Sequence, residues 1–211
     1  MQPKSSAHYQ REYRKRLREQ GFVKKEVWVL PQNARQLAIY EQELRQSAKL
    51  RASNELKYVK GANRMTDIMA PWTTMALYEA LPASNLFSLG RAEVELIDGV
   101  SQALHIVMNE YGDLPIFVTV SGEQILVESL LWSVKEVKDV AVFNEAILRT
   151  HKFFPLSTIS LDKIDGDDCY HMFGALSSTS SLQNIVFEME ILASNVIQAT
   201  EAYAEFLLAD D

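Results

Sequence analysis

The side chains able to ligate a metal or act as nucleophiles are few, and they are scattered. His105, His151 and His171 fall in three different predicted elements, and Cys169 stands two positions before His171 on one face of a predicted strand. A metal site needs three or four ligands, usually with a paired C-x-x-C or H-x-x-x-H, and neither pair is present. A packed thiol beside a partly buried imidazole is the stronger reading of Cys169 and His171. Asp162, Asp165, Asp167 and Asp168 crowd one short stretch. The spacing and closing Glu of a calcium-binding loop are missing there, and Asp165-Gly166 is what a two-residue hairpin turn requires. The chain has no glycine-rich phosphate loop, no G-x-S-x-G elbow and no spacing that selects a carboxylate pair for acid–base work. The expectation is a protein that is not an enzyme and uses no metal or cofactor.

Charge is the more informative signal. Arg11, Arg14, Lys15 and Arg18 recur at spacings of three and four, which puts them on one stripe of a helix, and Lys24 and Lys25 follow. Such a cluster binds anionic surfaces or nucleic-acid phosphates, since those contacts need charge rather than a base code. The net charge of -7 conceals a split: residues 1–65 hold 15 Lys or Arg against 6 Asp or Glu, and residues 66–211 hold 6 against 22. Asymmetry of that size predicts two modules with different partners. The alternative is that the basic segment simply lies on the acidic part of its own chain.

The elements that must position these residues follow from periodicity. Ser5 or Ser6 can cap a helix running to about Gln20, with Tyr9, Tyr13 and Leu17 as its apolar stripe and Gly21 as its stop. Val27, Trp28, Val29 and Leu30 read as a short strand ended by Pro31, and a second helix follows to about Leu50 with Leu37, Tyr40 (or Glu41) and Leu44 on one side. Arg51 to Thr66 loses periodicity and reads as a linker. The expected organisation is a basic helix–strand–helix arm over 1–50, a linker over 51–66 and an acidic α+β domain over 67–211. Cutting near Thr66 should then leave a domain that folds alone.

The larger part is organised around Pro115 to Trp132, where two Val-, Ile- and Leu-rich runs flank Ser121-Gly122. Their apolar density predicts central strands covered on both faces. A helix opening at Pro71, with Trp72, Met75 and Ala76 inward, and strands over 92–97 and 102–108 joined at Asp98-Gly99 precede this hairpin. Tyr111-Gly112-Asp113 turns the chain into it. A helix over 134–154 and strands over 158–164 and 168–175 joined at Asp165-Gly166 come after. The Ser and Thr cluster at 177–181 caps a last long helix. Its buried stripe includes Leu182, Ile185, Met189, Leu192 and Val196, with Glu188, Gln198, Glu201 and Glu205 outward. Strands in consecutive runs between single helices predict an antiparallel sheet of about six strands with helices packed on it. The 211 residues, 47% of them hydrophobic, suffice for such a core. One cysteine excludes an internal disulfide, the first residues lack a signal-peptide pattern, and no run reaches the ~20 apolar residues of a membrane span. A cytoplasmic protein is expected.

The run Y-R-K-R-L-R-E-Q-G followed by V-W-V-L-P resembles the ribbon-helix-helix-like segment of small DNA-binding proteins of the MazE-antitoxin sort. Counting back from Pro31, the readout positions here are Lys25, Val27 and Val29, and two valines cannot supply hydrogen bonds to base edges. Val27, Trp28 and Val29 instead predict dimerisation, because a lone strand so apolar needs a partner on its exposed face. The stretches WSVKEVKDVAVFNEAILRTHKFFPLSTI and EMEILASNVIQATEAYAEFL resemble the YjfI-like family of bacterial proteins. That resemblance implies genomic company with a PspA-like coiled-coil membrane-stress protein and offers no catalytic residues to carry over. The order of elements is also similar to that of type III secretion chaperones and their YbjN-like relatives, which implies a non-enzymatic, often dimeric binder. The expected role is thus a protein-binding adaptor with a PspA-like partner, the alternative being a DNA-binding regulator that uses the basic arm.

Overall fold

The computed structural model describes residues 5–24, 26, 27, 29, 37, 40, 70–99 and 102–208. The chain divides into two compact units, one of Met1–Phe22 with Met69–Asp211 and one of Val23–Ile68. That division corrects the expected boundary, because the first basic helix, α1 (Ser6–Glu19), belongs to the acidic unit and not to a separate 1–50 arm. A chain cut near Thr66 would therefore lose part of the unit it was meant to isolate. The expected linker lies outside the described residues. In the second unit Leu37 and Tyr40 are helical, while Glu26, Val27 and Val29 carry no strand. Trp28 and Leu30 lie outside the described residues.

The first unit is an α+β fold. Helices α2 (Thr74–Ala80) and α3 (Asn85–Ser88) lead into β1 (Ala92–Ile97), β2 (Ala103–Met108), β3 (Leu114–Ser121) and β4 (Gln124–Ser133). Then come α4 (Val140–Thr150), β5 (Thr158–Ile164), β6 (Asp167–Ser177) and α5 (Leu182–Ala202). The six strands form one antiparallel sheet in the order β1-β2-β3-β4-β6-β5. β6 inserts beside β4, so the final hairpin joins the sheet by its second strand and β5 becomes the edge.

The predicted central hairpin is at the middle of this sheet, with Val118 opposite Val127 and Val120 opposite Ile125. Its two faces are not equivalent, against the expectation. Ile116, Val118, Ile125 and Val127 are buried completely, whereas Phe117, Leu126, Glu128 and Leu130 on the other face are only partly buried. The core therefore lies on one face, where Ile185, Met189, Leu192 and Val196 of α5 pack with Ile106, Ile116, Val127 and Met172. Each such aliphatic side chain contributes about 1.5–3 kcal/mol on burial.

Local chemistry shifts some predicted boundaries. Thr73 rather than Pro71 starts α2, its hydroxyl accepting from the Ala76 amide at 3.1 Å, so Leu77 and Leu81 turn inward while Met75 and Ala76 face out. The predicted helix over 134–154 is broken. Val137 bridges to Leu207, the Leu208 amide donates to the Glu136 carbonyl, and Asp139 then caps α4 through the amides of Ala141 and Val142. Backbone groups of 136–138 cannot serve a helix while pairing with the chain terminus. Leu192→Ala should destabilise the unit by about 2–5 kcal/mol, and Glu201→Ala by less than about 1 kcal/mol, measured by denaturant unfolding. Equal losses would mean that α5 is rotated from this packing.

Candidate functional site

The candidate site begins with the basic helix. The stripe Tyr9–Tyr13 of α1 faces the turn Tyr111-Gly112-Asp113, where Tyr13 stacks on Tyr111 with ring centroids 5.4 Å apart. Gly112 holds a left-handed φ of 77°, and a Cβ there would lie 2.6 Å from the Tyr9 carbonyl oxygen. Only glycine lets the two backbones approach so closely. Gln10, buried on the adjoining face, donates its amide to the Ile197 carbonyl of α5 at 3.1 Å.

Two arginines complete the docking. Arg16 donates to both carboxylate oxygens of Asp113, at 3.0 and 2.6 Å, and to the Asn109 carbonyl at 2.6 Å. This pairing raises the guanidinium's pKa further above its ordinary value. Arg14 forms an ion pair with Glu201 of α5 at 2.8 Å. Arg11, Lys15 and Arg18 remain exposed, at i, i+4 and i+7 on the opposite side of the helix. The predicted stripe is thus divided: Arg14 turns to the unit's own acids. The sequence expectation held Asp113 only as part of a turn and did not include its pairing with Arg16. Arg16 follows Tyr13 by three positions, and that spacing places it on the tyrosine side of the helix.

The other predicted residues lie in the second unit. Lys24 pairs with Glu26 at 3.1 Å, and Val27 and Val29 are 59% and 44% exposed. Lys25 lies outside the described residues, as does Trp28. Among the described residues, no three His, Cys, Asp or Glu side chains converge as a metal site. Of the acids of the final hairpin, Asp168 is held by Lys163, Asp167 by Lys135, and Asp162 accepts from the Ser160 hydroxyl. Cys169 is a buried free thiol, and burial lowers the pKa of His171.

One buried acid overturns the sequence expectation. Glu188 was placed on the outer face of α5, but it is 3% exposed and aimed at Gly174 of β6. A Cβ at Gly174 would lie 1.7 Å from its Oε1, so the missing side chain makes the room the carboxyl occupies. Oε1 has no hydrogen-bond partner, and burial pushes the carboxyl up to about 7. At the far end of α5 a cleft of about 540 Å³ opens against α4. Its lining includes Phe153, Phe154, Tyr203 and Phe206, with Glu201 and Glu205 as its carboxylates.

The model of the family described as an uncharacterized protein conserved in bacteria, DUF2170, matches residues 71–207, the whole sheet with its covering helices. The chain belongs to this family. The YjfI proteins of Escherichia coli K12 and O157:H7 are each 31% identical over 138 residues, covering 64% of this DUF2170 chain and 97% of theirs. Both matches are shorter than the chain, which includes α1 outside the matched region of the family. Among solved structures, YbjN from Escherichia coli is similar at a TM-score of 0.47 and 16% identity, over 67% of this chain and 99% of that one. An uncharacterized protein from Methanothermobacter thermautotrophicus gives 0.45 and 10%, over 64% and 99%. A chain of the HopA1–SchA chaperone–effector complex gives 0.42 and 16%, over 61% and 94%.

Two substitutions test this geometry. Gly112→Ala should lower stability by at least about 1 kcal/mol more than Gly90→Ala, which also has a positive φ but open space around it, in thermal unfolding of the full chain. Equal effects would remove the close approach from the account. Glu188 binds a proton more tightly when folded, so its contribution to stability is present below its ordinary pKa and is lost as pH rises toward about 7. Glu188→Gln should flatten that loss between about pH 5 and pH 8. An unchanged pH profile of the melting temperature would show that the carboxyl is solvated.

Proposed function

We propose that this chain is a non-enzymatic, cytoplasmic adaptor that binds a protein partner. The supporting observation is the docking of the basic helix on its own acidic unit. Arg14 and Arg16 are engaged by Glu201 and Asp113, and the unit that contains them has 12 Lys or Arg against 23 Asp or Glu. A regulator gripping DNA through α1 would have to bring a surface of that net charge to a polyanion, against repulsion. The same acidic surface favours a protein with a basic face. Among the described residues no helix is long and apolar enough to cross a membrane. The YjfI-like resemblance makes a PspA-like coiled-coil protein the first partner to assay.

The full chain should bind that purified protein in calorimetry and show only weak, salt-sensitive anisotropy changes with a labelled DNA duplex near 0.15 M salt, roughly physiological. Tight binding of one duplex sequence at that salt would transfer the role to the DNA-binding regulator. The adaptor is further proposed to pair with a second copy through Val27, Trp28 and Val29, since the exposed Val27 and Val29 are covered by such pairing. Light scattering should then report a dimer that Val27→Asp with Val29→Asp converts to a monomer. A wild-type monomer, or a dimer indifferent to both changes, refutes that pairing.

A further inference from the structure

Three large apolar side chains stand out of the solvent-facing surface within nine consecutive residues. Leu148 near the end of α4, Phe153 and Leu156 are 74%, 73% and 63% exposed. Leu156 also holds a φ of 64°, a left-handed conformation that costs any side-chain-bearing residue and is rare for a bulky one. That conformation is held from within the unit, by the turn that the Ser157 amide closes on the Phe154 carbonyl and by Asn195, whose Nδ2 donates to the Pro155 carbonyl and the Ser157 hydroxyl, while the side chain itself is left in solvent. Exposed apolar residues scattered singly need no explanation, and of these three Phe153 is the one that stands in the wall of a concavity, where an exposed ring marks an interaction site.

The concavity is the α4–α5 cleft, which includes Phe153 in its lining. Its accessible aromatic walls are Phe153, exposed, and Phe206, half-buried, with Phe154 and Tyr203 buried behind them. Thr150 and Tyr203 share a hydrogen bond of 2.7 Å between their hydroxyls, so those polar groups already have a partner. The charged groups of the lining are Glu201 and Glu205. Glu201 already holds one guanidinium, that of Arg14, at 2.8 Å. Lys152 lies 5.4 Å from the centre of the Phe153 ring, so this ring also accepts a cation. Aromatic walls with carboxylates at the edge recognise a group that is apolar along its body and cationic at its end.

We infer that the α4–α5 cleft is the docking site for a partner protein's basic amphipathic segment, whose bulky apolar residue enters against Phe153 and Phe206 while a neighbouring Lys or Arg pairs with Glu205. This assignment rests on the adaptor reading and adds to it the place of binding and the chemistry of what binds. It calls on a surface separate from the exposed cations Arg11, Lys15 and Arg18 of α1.

The experiment uses the full chain and two labelled synthetic helices, one built from leucine and lysine and its leucine–glutamate counterpart. The leucine–lysine helix should bind in fluorescence anisotropy, and Phe153→Ser and Glu205→Lys should each weaken it about tenfold. The leucine–glutamate helix should bind at least about tenfold more weakly than the leucine–lysine helix. Glu123→Lys makes the same charge change at the exposed β3–β4 turn and should leave affinity within about twofold. Phe153, Glu205 and Glu123 are all exposed, and unchanged thermal unfolding of the variants establishes that each one folds. Absence of binding, indifference to Phe153→Ser, or an equal loss from Glu123→Lys and Glu205→Lys overturns the site. A protein partner held by the Phe153→Ser chain with unchanged affinity would overturn this site while leaving the adaptor role in place.

Discussion

The basic helix is fixed to the acidic unit by a backbone contact too close for any side chain at Gly112. The Tyr9 carbonyl and the Tyr13 amide both lie within 3 Å of where a Cβ would sit. That approach lets Tyr13 stack on Tyr111 and brings Arg16 within reach of Asp113. It also sets the distribution of charge. Without the contact α1 would be a cationic rod, and with it two cations are neutralised by the unit's own acids. The solvent-exposed pairs are individually weak, so geometry rather than ion pairing holds the helix.

Much of the sheet was legible because its signals are local. Val and Ile runs separated by Ser121-Gly122 and Asp165-Gly166 fix the hairpins through turn chemistry, and α5 follows from a buried stripe at 3.6-residue spacing. What was missed depends on partners distant in sequence. The break before α4 comes from pairing of 136–138 with 206–208, some 70 residues on, and no window over 134–154 contains that information. Glu188 looked solvent-facing because carboxylates are almost always outside, yet the absent side chain of Gly174 opens a place for it under α5. The sheet's two faces differ for a similar reason: apolar density reports burial without saying which helices supply it.

The candidate sites show the same division. The cations of α1 were legible as a stripe, but their partners were not. Asp113 and Glu201 lie roughly 100 and 190 positions away from the arginines they hold, and the acidic surplus of the larger part gave the only hint. The cleft left a fainter mark, since Phe153 and Phe154 read as the end of a helix and Tyr203 and Phe206 as the end of another. Their convergence is a product of the α4–α5 arrangement. Both features are places where the fold brings aromatic rings and carboxylates together from elements distant in sequence.

The claim on which these readings rest is that α1 is an integral part of the acidic unit. Hydrogen exchange of the full chain, followed at the backbone amides of residues 6–19, tests it most directly. The account predicts protection of these amides that approaches that of α5 and collapses in Gly112→Ala. Amides in α1 that exchange as fast as those of an isolated helix, unaffected by Gly112→Ala, would contradict it.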